Sequence, residues 1–456
     1  MIQELKVKNF LSFRDDIEFS FEATKDKAFE DYQVVEVAPD IRLLRFAMIL
    51  GSNASGKSNV LKAFDFLRLF WFEKHESLDE PTNVIPFLLD KSTPEEPSCF
   101  ELKFWVNGVR YWYILKVNRK YVEKETLYYY KSHQPTKLFE RTYKDGHSYI
   151  KFNPEVIKIS HAAEEEISLK CLPNMSFFVA RNKVNLSLPL IDAARDWMRN
   201  KIMPVIDPQT NLNEYIGQKI KDDEALKEYL LEFIHKADFN ISELYSGRGG
   251  ETFSGTKTQF QHLVTNDRGE ETYILPYFLQ SEGTHRTIEI ETAIFDAVKK
   301  NAFLPIDEIE SSLHPELVEY IIEQFLKTES KSQLLVTTHY DSLLNTVDDL
   351  IRKDSVWFTE KDASGNSALY SLVDFKGLNK LSSFQKSYRN GKFGALPNIK
   401  YYGTTTKNKR PASDNSYYCW GRYYGAILFH SSQIYFEMPG KSEATLFRTG
   451  RYIPID

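Results

Sequence analysis

Eight consecutive residues, Gly51-Ser52-Asn53-Ala54-Ser55-Gly56-Lys57-Ser58, match the phosphate-binding pattern GxxxxGK[ST] in full. Glycines there let successive main-chain N–H groups turn inward around phosphate oxygens, at a helix N-terminus whose dipole already favours negative charge. Lys57 has the length and charge to reach the outer phosphates, the Ser58 hydroxyl is a ligand for Mg²⁺, and Asn59 carries the loop into the helix. Such a metal needs a second carboxylate from the end of a neighbouring strand. The run Phe303-Leu304-Pro305-Ile306-Asp307-Glu308 supplies one, with Asp307 as the metal partner and Glu308 placed to polarise an attacking water as general base. A glycine-rich turn without ligand and an incidental acidic pair are the bland alternatives, and their joint occurrence argues against both.

These residues need a strand before the loop and a helix after it. The near-continuous apolar run from Leu43 to Leu50 reads as a buried parallel strand, and Val60, Leu61, Phe64, Leu67 and Phe70 fall at helical spacing behind Ser58. Before it, alternation over Ile2 to Phe21 predicts two strands and a turn. Asn107-Gly108 and Asp145-Gly146 predict two hairpins in an antiparallel sheet between Cys99 and Phe152. From about Pro154 to Gly247 the period turns helical, clearest at Leu226, Leu230, Phe233, Ile234 and Ala237, which predicts an inserted helical part. Strands return at Gln259 to Val264 and Thr272 to Leu275. A helix from Thr287 to Lys299 then feeds the Phe303 strand, whose Pro305 is unusual for a central position. A helix opening on Pro315 and a strand from Gln333 to Thr338 follow.

The fold class is therefore α/β, with an antiparallel β-layer and a helical insertion. The expected segments are an N-terminal lobe (1–153), the insertion (154–258), a C-terminal lobe (259–399) and an atypical tail (400–456). The chain has 456 residues, with 42% hydrophobic and 27% charged, so it is a folding globular chain and not a disordered one. A net charge of −6 disfavours a globally basic nucleic-acid binder. Three scattered cysteines and no apolar stretch of spanning length predict a cytoplasmic protein without membrane association.

The stretch Leu5-Lys6-Val7-Lys8-Asn9-Phe10-Leu11-Ser12-Phe13, the phosphate loop, and Asp307-Glu308-Ile309-Glu310-Ser311-Ser312-Leu313-His314-Pro315 resemble ABC-like P-loop ATPases of the SMC, RecF and OLD kind. The likeness is greatest to the AAA-type ATPases of bacterial abortive infection. It extends through Gln280-Ser281-Glu282-Gly283-Thr284, through His339, and through Tyr388-Arg389-Asn390-Gly391-Lys392 to about residue 399. The resemblance implies ATP and Mg²⁺ as cofactors and an ATPase working as a nucleotide-driven dimerising switch. Its signature-like Ser281 and Gly283 would act on the nucleotide of a partner copy, and His339 would be the switch histidine that meets the γ-phosphate and the water. Glu282 departs from the family's glycine and brings a carboxylate near phosphates. His314 is read as structural.

The resemblance further implies an ATP-sandwich homodimer and antiphage defence with a separate effector nuclease or toxin. The alternatives are a RecF- or SMC-like repair ATPase that binds DNA, and a nucleotide-dependent scaffold with little turnover. No glutamine loop is placed, since Gln134, Gln209 and Gln218 lack a persuasive strand context. Arg181, Asn182 and Lys183 read as a solvated loop, and His161 with Glu164, Glu165 and Glu166 as an exposed acidic helix face. The tail, with its Tyr401-Tyr402, Tyr417-Tyr418 and Tyr423-Tyr424 doublets, resembles nothing in the family and is assigned no function.

Overall fold

The computed structural model describes residues 1–237, 240–248, 256–397, 433–434 and 447–448. Met1–Pro397 forms one compact unit. In the second, only the two-residue strands Gln433–Ile434 and Phe447–Arg448 are described, paired antiparallel. The tail expected over 400–456 otherwise lies outside the described residues.

The first unit opens with β1 (Ile2–Lys8), β2 (Ile17–Ser20), α1 (Glu30–Gln33), β3 (Val34–Ala38), β4 (Ile41–Leu44), β5 (Phe46–Gly51) and α2 (Lys57–Phe70). The single strand expected from Leu43 to Leu50 is thus two, divided at Arg45. The reason is a charge inside an apolar run. Arg45 is buried, and its guanidinium donates to the carbonyls of Tyr32 (2.9 Å), Leu326 (3.0 Å) and Phe325 (3.2 Å) and to Ser330 Oγ (2.7 Å). Burial still lowers its pKa to about 10.

Next come β6 (Ser98–Val106), β7 (Val109–Val117), β8 (Val122–Tyr130), β9 (Pro135–Lys144) and β10 (His147–Phe152). The Asn-Gly and Asp-Gly turns join β6 to β7 and β9 to β10, with Asn107, Gly108, Asp145 and Gly146 all at positive φ. These strands and the first two make one seven-stranded sheet, ordered β10-β9-β8-β7-β6-β1-β2.

The expected helical part holds α3 (His161–Lys170), α4 (Phe177–Arg181), α5 (Pro189–Lys201), α6 (Asn213–Asp222) and α7 (Glu224–Lys236). It is not purely helical, because β11 (Ile241–Arg248) follows within it. That strand joins β12 (Thr256–Asn266) and β13 (Gly269–Pro276) in a three-stranded sheet, and both of the latter run longer than their apolar cores suggested. Then come α8 (Glu282–Lys300), β14 (Phe303–Ile306), α9 (Pro315–Lys327), β15 (Gln333–Thr338), β16 (Val356–Lys361), β17 (Ser367–Ser371) and α10 (Phe384–Arg389). Helix α8 begins five residues before the expected Thr287, which places Ser281 as its N-cap.

The central sheet is ordered β14-β15-β5-β16-β17 and is parallel except for β17. Its strands are covered on both faces, and alternate residues divide between two cores. Ala47 and Ile49 join the core shared with α2 and the antiparallel sheet; Phe46, Met48 and Leu50 join that of α8 and α9. Gln333 ties the two sheets together, accepting the N–H of Ile2 (2.6 Å) and donating to the carbonyls of Ile2 (2.9 Å) and Leu44 (3.1 Å).

Pro305 is tolerated because β14 has no full strand on its outer side. There residues 202–206 add isolated parallel bridges, Ile202 to Phe303 and Ile206 to Ile306. The Pro305 carbonyl faces that segment, accepting from Ile206 N at 3.0 Å, so its missing donor is lost at the outer side and not from the β15 ladder.

Candidate functional site

β5 ends at Gly51, where close packing requires glycine: a Cβ there would lie 2.5 Å from the Thr359 carbonyl oxygen. The loop then turns through Ala54 (φ 60°) and Gly56 (φ 114°), left-handed conformations that curl the main chain into a cradle. Gly56 caps α2 with no side-chain hydrogen bond, and no acidic residue sits in the first turn, so the helix start remains open to an anion. Two neighbouring contacts brace the loop, Ser55 Oγ to Thr359 Oγ1 (2.6 Å) and Asn59 Nδ2 to Ser12 Oγ (2.7 Å). Ser52 and Asn53 complete the turn.

Lys57 is buried under this loop. Its ammonium donates to the carbonyls of Gly51 (3.0 Å) and Ser52 (3.1 Å) and lies 3.2 Å from His339 Nδ1. Desolvation lowers its pKa, opposed by the charges of Glu310, Glu308 and Asp307. Because an ammonium only donates, Nδ1 of His339 must be the acceptor, and the ring proton falls on Nε2. That atom is 3.4 Å from Glu308 Oε1. His339 therefore bridges the loop lysine and Glu308.

Ser58 Oγ donates to Asp307 Oδ1 at 3.0 Å, and the Thr337 hydroxyl donates to the same oxygen. Thr337 Oγ1 also accepts the N–H of Glu308 at 2.8 Å. Glu308 has φ 46°, a left-handed conformation that a non-glycine residue adopts at a local cost. Here the Thr337 bond holds it. Two hydroxyls around one carboxylate oxygen make an all-oxygen donor set, which fits a hard cation such as Mg²⁺.

The structure thus brings Lys57, Ser58, Asp307, Glu308 and His339 together at the C-terminal ends of the adjacent strands β5, β14 and β15. Ser281 and Gly283 are not in this cluster. Ser281 Oγ accepts the N–H of Thr284 (3.1 Å), and no hydrogen bond links either residue to 51–59 among the described residues. Gly283 lies against the loop after Glu308, where a Cβ would sit 2.9 Å from the Ser312 carbonyl oxygen. Glu282 is 85% exposed and 3.9 Å from His285. His314 caps α9, with Nδ1 accepting the N–H of Glu316 at 3.4 Å.

Several residues escaped the sequence reading. Arg286 is buried in α8 and donates to the carbonyls of Asp207 (2.7 Å), Asp307 (2.9 Å) and Glu308 (3.5 Å), joining the signature-like helix to the acidic pair. Burial lowers its pKa. Glu310, 7% exposed, accepts the N–H of His339. Its signal was a third carboxylate in Asp307-Glu308-Ile309-Glu310. Thr337's signal was a hydroxyl in an otherwise apolar buried strand.

One expectation is corrected and one is refined. Gln209 has no strand before it, but it follows residues 202–206, which add isolated parallel bridges to β14 and end beside Asp307, whose N–H donates to Ile206 O at 2.9 Å. Arg181 is not solvated: it is 4% exposed and bonded to Val184 O (3.0 Å) and Asp192 (2.9 Å). His161 and Glu165 are exposed on α3, 3.4 Å apart.

The α/β sheet with its 51–58 phosphate loop is the layout of a P-loop AAA domain. The chain belongs to the family described as "AAA domain, putative AbiEii toxin, Type IV TA system", which matches residues 46–345. No curated protein matches it. Among solved structures it is similar to the SMC head domain from Thermotoga maritima, at 15% identity over 81% of this chain and 98% of that one, with a TM-score of 0.38. It is also similar to an SMC head bound to the C-winged helix domain of ScpA, at 14% identity, 83% and 99% coverage and a TM-score of 0.43. At these values neither bears on activity or partner. No helix among the described residues is long and apolar enough to cross a membrane.

Proposed function

We propose that this chain binds ATP with Mg²⁺ at residues 51–59 and hydrolyses it. The observation that carries the reading is the line from Lys57 through His339 to Glu308, with Ser58 and Asp307 beside it. The loop N–H groups and Lys57 hold the phosphates. Ser58 and Asp307 hold the metal, which supplies charge neutralisation at the phosphate oxygens. Glu308 accepts a proton from the attacking water, and His339 Nε2–H orients it. Gln209, at the end of the segment beside β14, would reach the same metal or water.

Ser281 Oγ and the Gly283 N–H would complete the site of a second copy, so that ATP closes a homodimer and hydrolysis reopens it. Neither residue hydrogen-bonds its own phosphate loop among the described residues, which leaves both free to act across an interface. The family's description, "putative AbiEii toxin, Type IV TA system", supports a role within a toxin–antitoxin pair; antiphage defence with a separate effector nuclease or toxin under the control of this switch rests on the sequence resemblance. No observation favours the DNA-clamp alternative.

Phosphate release and light scattering test the reading. Wild type should hydrolyse ATP, Lys57→Ala should not bind it, and Glu308→Gln should bind, hydrolyse slowly and accumulate as dimer. Normal turnover by Glu308→Gln would remove the general-base assignment. Phage plating on cells carrying the chain with its genomic neighbours, against Lys57→Ala, tests the defence role; equal plaque counts would overturn it.

A further inference from the structure

At the far end of α2 from Lys57, that helix meets α4 and α5 in a groove of about 540 Å³. The helix has 14 residues, so the groove lies about 20 Å from the phosphate loop. Four cations line it, Lys74, Lys183, Arg195 and Arg199, against the single carboxylate of Asp196. Arg195 is committed to its neighbours, 2.8 Å from Asp196 and 3.3 Å from Asp192, and it donates to Asn182 Oδ1 at 3.0 Å. Lys74, Lys183 and Arg199 have no carboxylate partner among the described residues. The C-terminal ends of α2 and α5 account for about one elementary charge of attraction. Three unpaired cations exceed that, on a chain whose net charge is −6.

The walls are also flat and partly apolar. The Arg199 guanidinium carbon sits 4.6 Å from the centre of the Phe72 ring, and Val179 is buried beside them. The volume lies within the range of small-molecule sites. We propose that this groove is a second binding site, for a phosphorylated small molecule of nucleotide size. Lys74, Lys183 and Arg199 would meet its phosphate, and the Phe72 and Arg199 surfaces would stack on its heterocycle.

The test uses the full chain carrying Lys57→Ala, which silences the phosphate loop and makes the outcome independent of the ATPase reading. Calorimetric titration with AMP should show saturable binding, at least about tenfold tighter than adenosine or inorganic phosphate. Arg199→Glu and Lys183→Glu should each weaken it by about tenfold or more. Both variants should keep the thermal midpoint of the Lys57→Ala parent, which shows that they fold. Absence of AMP binding up to about 5 mM would overturn the proposal, as would affinity untouched by both charge reversals. Tighter binding of a dT oligomer than of AMP would overturn the small-molecule assignment.

Discussion

Ser58 and Asp307 are 249 residues apart in the chain and 3.0 Å apart in the fold, the hydroxyl donating to the carboxylate. The contact places one oxygen from the helix after the phosphate loop against one from the end of β14. Neither element alone could hold a hard cation, and the pair can. Ser58→Ala and Asp307→Asn should both raise the Mg²⁺ concentration needed for half-maximal ATP hydrolysis, by about tenfold or more, from loss of one charge-assisted contact each. Mg²⁺ titrations of phosphate release read this directly; unchanged midpoints in both variants would exclude these ligands.

His339 lies between Lys57 and Glu308 and makes no hydrogen bond to the main chain of the phosphate loop among the described residues. Its loss should therefore spare nucleotide binding. His339→Ala is expected to lower kcat by about 10²-fold while the affinity for ATP changes little. A matching fall in binding would show that the ring supports the loop and does not orient water.

Arg286 carries three carbonyl acceptors on one buried guanidinium. Replacing it with methionine keeps the bulk and orphans those carbonyls, at a cost of about 1–3 kcal/mol each at most. Arg286→Met should lower the thermal midpoint and turnover together. Arg286→Lys should recover stability better than turnover, because a single ammonium cannot reproduce the fork that spans Asp207 and Asp307.

Gln209 is exposed, so its side chain adds little to packing. Gln209→Ala should leave the thermal midpoint unchanged and lower kcat by about tenfold, as expected for a residue that positions water or metal. Wild-type kcat in this variant would show that the segment beside β14 is structural only.

Glu291 is wholly buried between α7 and α8, where desolvation raises its pKa to about 8, only partly offset by a hydrogen bond from Tyr229. The folded chain thus holds a proton that the unfolded chain releases near the ordinary value of 4.5. Stability from this group is complete below that value and is lost as pH rises towards about 8. Thermal midpoints measured across that window should fall with pH in the wild type. Glu291→Gln should flatten the profile.

The phosphate loop and the acidic pair could be read in the sequence because their chemistry is local: a cradle, a lysine and a carboxylate each announce themselves within a few residues. Gln209 could not. Its segment is five residues long, holds Pro204 in the middle and touches β14 only through isolated bridges, so neither alternation nor length marks it. Arg45 hid the end of β4 for the opposite reason, since an apolar run looks continuous until the partners of its one charge are known. Arg286 looked like an ordinary helix position because all its acceptors are main-chain carbonyls, which carry no sequence signal.

The outer pairing of residues 202–206 with β14 has a topological consequence. Everything from α6 to β13 leaves the central sheet beside Asp307 and returns to it at Ser281, one helical turn before Arg286. The excursion is therefore a detour with both feet on the same ground, and Arg286 clasps the outgoing foot to the incoming one through Asp207. The detour is also fastened between those footings, because Phe233 of α7 packs into the core that α8 and α9 share with β5 and β14, so it braces the sheet it leaves.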